Sequence, residues 1–436
     1  MQQILDLHIH SKYSRACSRD LTLPNIEAAC RIKGVDIIAT GDFTYPAWFA
    51  DIKNELDPSA SSGQESGLYR LKTAKDNKVK FILSTEFALI YKDGGRVRRI
   101  HLVVHAPNIS AVEELNAHLG KRFNIRSDGR PILGISAPDL IKICLSIHPR
   151  FLIYPAHIWT PWFSVFGSKS GFNSMEECFH EYVENIHAYE TGLSSDPEMN
   201  WRVSPLDKLT LISNSDAHSP QNIGREANVF ELENITYDEI YEAIKNSSIR
   251  AATNGAHAND NRGSKLKYTI EFYPEEGMYH YDGHRDCGVS FSPPETKKQK
   301  GICPVCRRPL IIGVMNRVEE LADRPAGFTP VAAPGFRKLV GLDKIIAEVL
   351  GVKSRGSKKV MTEYNKIIGH FGNELNVLLA INPDEIKKVL PAAIAEGIKR
   401  VREGRINIKP GFDGQYGEIK IFSEAEKNKN KQVTLF

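Results

Sequence analysis

The chain has 436 residues, 41% hydrophobic and 25% charged, a balance that suits a globular protein with room for two domains and excludes a disordered or fibrous one. Seven cysteines, of which Cys17, Cys30, Cys144 and Cys178 are scattered without pattern, point to reduced thiols and exclude a disulfide framework. The net charge of +4 is uneven: 29 Lys and Arg against 21 Asp and Glu from Ser264 onward, and 28 against 32 before it, so a part suited to cations precedes one suited to a polyanion.

No stretch reaches the ~20 apolar residues that span a bilayer. The apolar run after Met1 is short and already carries Asp6 and His8, unlike a signal peptide. A soluble, cytoplasmic protein without a membrane partner is expected.

The first predicted strand, ILDLHIH, ends in His8 and His10. Side chains alternate faces along a strand, so two histidines two apart leave it on one side and can close on one ion. Taken alone, such a pair is as readily a half-buried strand that happens to carry imidazoles. Further β-type runs follow: DIIAT, KFILST, IHLVVHA, FLIYPAH, IHAYET and LTLISNSD. Acids and imidazoles recur in or just after these runs, at Asp42, Glu86, His101, His157, Glu190, Asp216 and His218. Such a series at strand ends points to a metal site.

Between the runs lie amphipathic helix candidates at Leu23–Lys33, Ser110–Leu119, Ala137–Ile147, Ser174–Val183 and Tyr237–Lys245, the last opened by Thr236 as a cap. Strand and helix alternating about seven times predict parallel strands joined by crossovers, most economically closed as an α/β barrel. In such barrels function sits at the C-terminal ends of the strands, where these acids and imidazoles stand.

FTYPAWF and IWTPWF bring Trp48, Trp159 and Trp162 close in sequence to candidate ligands. Each ring alone is most simply core or loop packing; together they are candidates to stack on a base turned out of its duplex. Arg225, in GREAN, is a candidate phosphate contact.

After the Gly- and Asn-rich NGAHANDNRGSK, which reads as a linker, comes HYDGHRDCGVSFSPPETKKQKGICPVCRRPL. Cys303 and Cys306 form C-x2-C, and His284 with Cys287 supplies a second close pair upstream, with His280 as the alternative fourth ligand. Two pairs of soft ligands make a closed structural zinc site, in which metal replaces the core that so short a segment cannot build. Lys297, Lys298, Lys300, Arg307 and Arg308 flank it, KSRGSKK adds a second basic turn, and IAEGIKRVREGRINIKPGFDG reads as a basic helix leading into a strand. Basic flanks beside a zinc knuckle suit a nucleic-acid backbone.

The motifs DLHIHSKYS, ATGDF, STEF, PAH and NSDAH, in this order, resemble the polymerase-and-histidinol-phosphatase (PHP) superfamily of metal-dependent phosphoesterases. More narrowly, TGDFTYPAW, ETGLSSDPEMNW and SNSDAHSPQNIGREAN are similar to the endonuclease Q family of DNA repair nucleases over essentially the whole chain. The resemblance implies a distorted (β/α)7 PHP barrel at residues 1–263, a smaller zinc-binding, basic α+β domain at 264–425, and a tail at 426–436. It also implies that His8, His10, Glu86 and Asp216 surround one ion and carry the catalysis. Glu86 would bridge to a second ion held by His101 and His157, while Asp42 and His218 would serve a third. His105 competes with His101 by position, and Glu190 is either a ligand or an acceptor behind one. Many PHP proteins read Asp-His where this chain reads Asp42-Phe43, which weakens the third site. Mixed carboxylate and imidazole ligands suit zinc, manganese or iron better than calcium, with magnesium or manganese expected for catalysis.

The activity implied is incision of double- or single-stranded DNA on the 5′ side of uracil, hypoxanthine, xanthine or abasic sites, leaving 3′-hydroxyl and 5′-phosphate ends and placing the protein with the nucleoid. Several cations help such a step by activating water and neutralising phosphate charge. The rivals are a histidinol-phosphatase-like enzyme of the same superfamily and a DNA- or clamp-binding scaffold without catalysis. The tail EKNKNKQVTLF, with Gln432, Leu435 and Phe436, resembles the peptide that binds the bacterial sliding clamp, a flexible tether that would raise local concentration at DNA.

Overall fold

A computed structural model of the chain describes residues 1–59, 66–253, 263–423 and 426. Most of the linker-like segment and the whole of Gln432, Leu435 and Phe436 lie outside the described residues. No described helix is long and apolar enough to cross a membrane.

The fold is a mixed α/β barrel broken into arcs. Gln2–Asp6 pairs in parallel with Ile37–Ala39, which pairs in parallel with Lys80–Ile82. On its other edge Gln2–Asp6 runs antiparallel to Ala227–Glu231, and Lys265–Glu271 and Gly335–Lys338 continue that sheet past the linker-like segment. A second arc carries Ile132–Leu133, Ser84–Asp93, Arg96–His105 and Leu152–Pro155. Ala188–Glu190 pairs in parallel with Thr210–Ile212 as a third. A parallel bridge from Ile9 to Ala217 ties the segment between His8 and His10 to the loop after Asp216. These contacts bring the carboxyl ends of the short apolar strands to one mouth.

Each predicted apolar run overlaps a strand, because a barrel buries both faces of short β-branched segments, but the first strand stops at Asp6, so that His8 and His10 follow it and do not end it. One departs from the expected parallel series. Arg96–His105 runs antiparallel to Ser84–Asp93 as a ten-residue hairpin arm, turned by Gly94 (φ 55°) and Gly95 (φ 74°). Two left-handed residues give the two-residue turn whose twist matches its strands.

The predicted helices form at Leu23–Lys33, Ile109–Gly120, Ala137–Ile147 and Tyr237–Asn246, and Met175–Phe179 continues as the 3-10 turn His180–Asn185. Thr236 caps its helix, its side chain accepting from Glu239 N. One continuous apolar core runs from Leu5 to Phe422 and takes in the helices Leu342–Val349, Lys358–Phe371 and Ala392–Arg402. The second half docks on the barrel through Lys33 Nζ on Glu374 Oε2 (2.5 Å) and Arg324 on both oxygens of Asp207 (2.6 and 3.0 Å). Val289, Cys303 and Leu310 form a separate cluster too small to fold alone.

Candidate metal centre

Strand ends deliver the candidate ligands and their supports, and the backbone is bent there. Asp42 (φ 49°), His157 (φ 31°) and Asp216 (φ 44°) each take the left-handed conformation just beyond a strand. For residues with a Cβ this costs on the order of 1 kcal/mol each, a strain that persists where surrounding structure enforces it.

His8, His10 and Asp216 converge so that one ligand atom from each lies within 4.8 Å of the others, and Glu86, His101 and His157 do the same. Glu86 stands between the two groups. Its Oε1 is 2.7 Å from His101 Nδ1 and 3.3 Å from His157 Nε2, while its Oε2 is 3.4 Å from His10 Nε2. His8 Nε2, His10 Nε2 and Asp216 Oδ1 are buried without a hydrogen-bond partner. Orphaned buried donors and acceptors cost about 1–3 kcal/mol each, and here all three face one point. The residues therefore fit a divalent ion in each group, in chemistry suited to transition metals.

The nitrogen facing away from each centre is engaged. His8 Nδ1 meets Glu190 Oε2 at 3.0 Å, and the same oxygen accepts from His157 N at 3.0 Å. Glu190 thus stands behind the histidines as their acceptor. His10 Nδ1 meets Asp42 Oδ1 at 3.1 Å, and His157 Nδ1 meets Thr160 and Ser164 hydroxyls, both at 3.1 Å. Such partners fix the tautomer that offers the other nitrogen to metal.

Charge follows geometry. Burial opposes ionisation of Glu86, but His101, Arg130 and His8 hold it well below the usual carboxylate range. Burial pushes His101 down to about 4, leaving it neutral near pH 7 with a lone pair to give. Burial opposes the charge on Asp216 too, and His10 and His8 keep it ionised.

No third group of three or more candidate ligands gathers at the barrel centre among the described residues, and Asp42 and His218, expected to serve a third ion, are engaged with their neighbours. The Asp42 oxygens are consumed: Oδ2 accepts from Ser11 N (2.7 Å), Ser11 Oγ (2.6 Å) and Ser14 Oγ (2.8 Å), and Oδ1 faces His10. Phe43, where an imidazole would be needed, is fully buried. His218 turns its Nδ1 to Asp216 O at 2.8 Å and packs its ring on that of His10 at 4.7 Å. His105 is also outside the centre; its Nε2 meets Tyr154 Oη at 3.1 Å beneath the first strand.

Two of the aromatic candidates are corrected. Trp48 and Trp159 are 0% and 1% exposed, their indole N–H groups donating to Gly41 O and Asn200 Oδ1, so neither face is open to a base. Trp162 is 41% exposed and packs edge-on against Tyr279 at 5.7 Å, beside Phe163, which covers His101 at 4.7 Å. Arg225 spends Nε on Ser215 O (2.9 Å) and Nη2 on Asp216 O (3.3 Å), bracing the loop that carries Asp216. Arg130 is a residue the sequence reading misses: its Nη1 lies 3.0 Å from Glu86 Oε2. Nothing in SDGRPILG marks it except a turn before an apolar run.

Away from the barrel centre, His284, Cys287, Cys303 and Cys306 gather within 4.8 Å, with Cys306 Sγ 3.8 Å from His284 Nε2. His280 is buried elsewhere, stacked on Tyr281. Burial alone would raise the Cys303 thiol; backbone N–H groups of Cys306 and Val305 aimed at its sulfur bring it below its usual value. Four such side chains with no open position fit a structural zinc ion. The flanking Lys297, Lys298, Lys300, Arg307 and Arg308 are exposed. A cleft of about 1170 Å³ separates the loop Gln221–Arg225 from the C-terminal helices; its lining mixes cations with carboxylates, and Lys33, Lys344 and Arg355 pair there with Glu374, Glu276 and Asp343.

Family models match residues 208–249 (PHP-associated) and 341–405 (MJ0043 C-terminal domain). The crystal structure of the lesion-specific endonuclease PfuEndoQ from Pyrococcus furiosus superposes with a TM-score of 0.82 at 30% identity, covering 100% of this chain and 99% of that one. A structure of endonuclease Q with a 27-mer duplex carrying an abasic lesion at its active site gives 0.80 at 31% identity, over 97% and 98%. The uncharacterized protein MJ0043 of Methanocaldococcus jannaschii is 32% identical over 284 residues, 64% of this chain. The chain spans 33% of that relative's length.

Proposed function

The chain belongs to the endonuclease Q family of DNA endonucleases, and from that premise we propose that it incises DNA 5′ of deaminated bases (uracil, hypoxanthine, xanthine) and abasic sites. One observation carries the reading: 97% of the chain, barrel and second half together, superposes on an endonuclease Q that holds an abasic-lesion duplex at its active site.

His8, His10 and Asp216 would hold one ion and Glu86, His101 and His157 the other, with zinc, manganese or magnesium as candidates. Bound there, divalent ions would acidify water and neutralise phosphate charge. In hydrolysis the water oxygen bonds to phosphorus, the bond from phosphorus to the 3′ oxygen breaks, and that oxygen leaves with a proton. The products are a 3′-hydroxyl and a 5′-phosphate. Glu190, Asp42, Thr160 and Ser164 keep the imidazoles aimed. His218, with 31% of its side chain exposed, is assigned to the DNA side of the centre.

Residues 1–263 are proposed as the hydrolytic unit and 264–425 as the DNA-holding unit, with phosphates along the exposed basic flanks of the Cys- and His-lined knuckle. Trp162 and Tyr279 would stack on a displaced base. Gln432, Leu435 and Phe436 are proposed to engage a sliding clamp, as their similarity to the clamp-binding peptide suggests.

The test is the chemistry of the ends. Lesion duplexes cut by the protein should be resealed by DNA ligase, which joins only 3′-hydroxyl to 5′-phosphate. Phosphate release from small monoesters with no cut DNA would overturn the reading in favour of a phosphatase.

A further inference from the structure

Arg130 is the only Lys or Arg among the described residues within ion-pair distance of any of the six metal-ligand candidates. The fold takes some trouble to bring it there. Ile132–Leu133 pairs in parallel with Ala88 and Leu89, and Ala88 N donates to Pro131 O at 3.1 Å, two residues along the same strand from Glu86. Asp128 Oδ1 accepts from Arg130 N at 3.0 Å and from Arg15 N at 3.3 Å, tying the approach to the His10 loop. At Gly129 a Cβ would lie 2.4 Å from Asp42 Oδ2 and 2.5 Å from Ser14 Oγ, so no larger residue fits between Arg130 and the groups behind His10.

Only one donor of the guanidinium is spent. Nη1 takes Glu86, while Nε and Nη2 meet no acceptor among the described residues and are not sealed, the side chain being 24% exposed. Electrostatics explain why such an edge is useful. Glu86 and Asp216 at the centre, with Asp42 and Glu190 behind, would be balanced by two divalent ions. A phosphodiester brings one more negative charge, and attack by water builds a second on its non-bridging oxygens. A planar guanidinium with parallel N–H groups is suited to oxygens of that kind.

We propose that Arg130 is a catalytic residue: anchored by Nη1 on Glu86, it donates from its free edge to a non-bridging oxygen of the scissile phosphate. This rests on the reading of the centre as a DNA hydrolase. The experiment compares wild type with Arg130→Gln, Arg130→Lys and Arg130→Ala on a duplex with one abasic site. Single-turnover rate, duplex Kd and metal content by mass spectrometry are read together. Removing a donor aimed at developing charge costs about 10²–10³ in rate. Arg130→Gln should lose about that much with metal content unchanged and Kd within about threefold, Arg130→Lys should lose less, and free guanidinium ion should restore part of the Arg130→Ala rate. A rate for Arg130→Gln within about threefold of wild type overturns the assignment. So does metal lost in step with rate, which would reduce Arg130 to a prop for Glu86. A wild-type chain that leaves the duplex intact overturns the hydrolase reading, and the assignment with it.

Discussion

Glu190 and His8, 182 residues apart in sequence, meet at 3.0 Å between Oε2 and Nδ1, both buried. The carboxylate takes the nitrogen that faces away from the centre and leaves Nε2 for an ion. Partners of this kind typically change metal affinity 10–100-fold. Glu190→Gln keeps an acceptor but removes the charge, so metal affinity by competition with a fluorescent chelator should fall by about 10-fold or more. Affinity equal to wild type would contradict this role.

The zinc knuckle is expected to fold only with its metal. Val289, Cys303 and Leu310 are too few to order residues 282–311 on their own. Cys303→Ser should lose one equivalent of zinc and open this segment to protease, while the barrel, which has its own continuous core, melts cooperatively as before. Retention of that zinc, or collapse of the barrel with it, would be the contrary result.

A buried acid pair gives a pH dependence unconnected with metal. Burial pushes Glu271 up to about 7, and Glu226 is raised by burial and by the neighbouring Glu271 charge. A carboxyl raised in the folded state keeps a proton that the unfolded chain, near 4.5, has already lost. Stability therefore falls as pH rises from about 4.5 to 7, by at most about 1.4 kcal/mol per pH unit for one group. Between pH 5 and 7.5 the melting midpoint of Glu271→Gln should drop less than that of wild type; parallel curves would refute the claim.

The tryptophans should separate binding from folding. Trp162→Ala removes an exposed ring, so duplex Kd should rise by an amount equivalent to about 1–3 kcal/mol with the melting midpoint unchanged. Trp48→Ala empties a fully buried site and should destabilise by about 3–5 kcal/mol. Exchanged phenotypes would reverse the two assignments.

What was legible in the sequence was what is local. His8 and His10 stand two apart just past the first strand and turn to one centre, Thr236 precedes its helix, and two close pairs of His and Cys gather as their spacing suggests. The hairpin has a local signal too, the Asp93-Gly94-Gly95-Arg96 turn, but IHLVVHA alone reads as one more parallel strand. The rest depends on tertiary neighbours. Whether Glu190 binds metal or stands behind depends on which nitrogen of His8 it meets. Asp42 meets Ser11, Ser14 and His10, partners that its sequence neighbours alone do not reveal. Trp48 and Trp159 sit near ligands in sequence yet point into the core, and Arg130 reaches Glu86 only through the pairing of Ile132 with Ala88.

Cutting of DNA at lesions is proposed for the centre shared by His8, His10, Glu86, His101, His157 and Asp216. The direct measurement uses a duplex labelled at one 5′ end with a single abasic site or uracil, and an undamaged control, with manganese and then with chelator. The account predicts one product ending at the bond 5′ of the lesion, absent from the control, abolished by chelator and by Asp216→Ala. Equal cutting by Asp216→Ala, or cutting that persists in chelator, would contradict it.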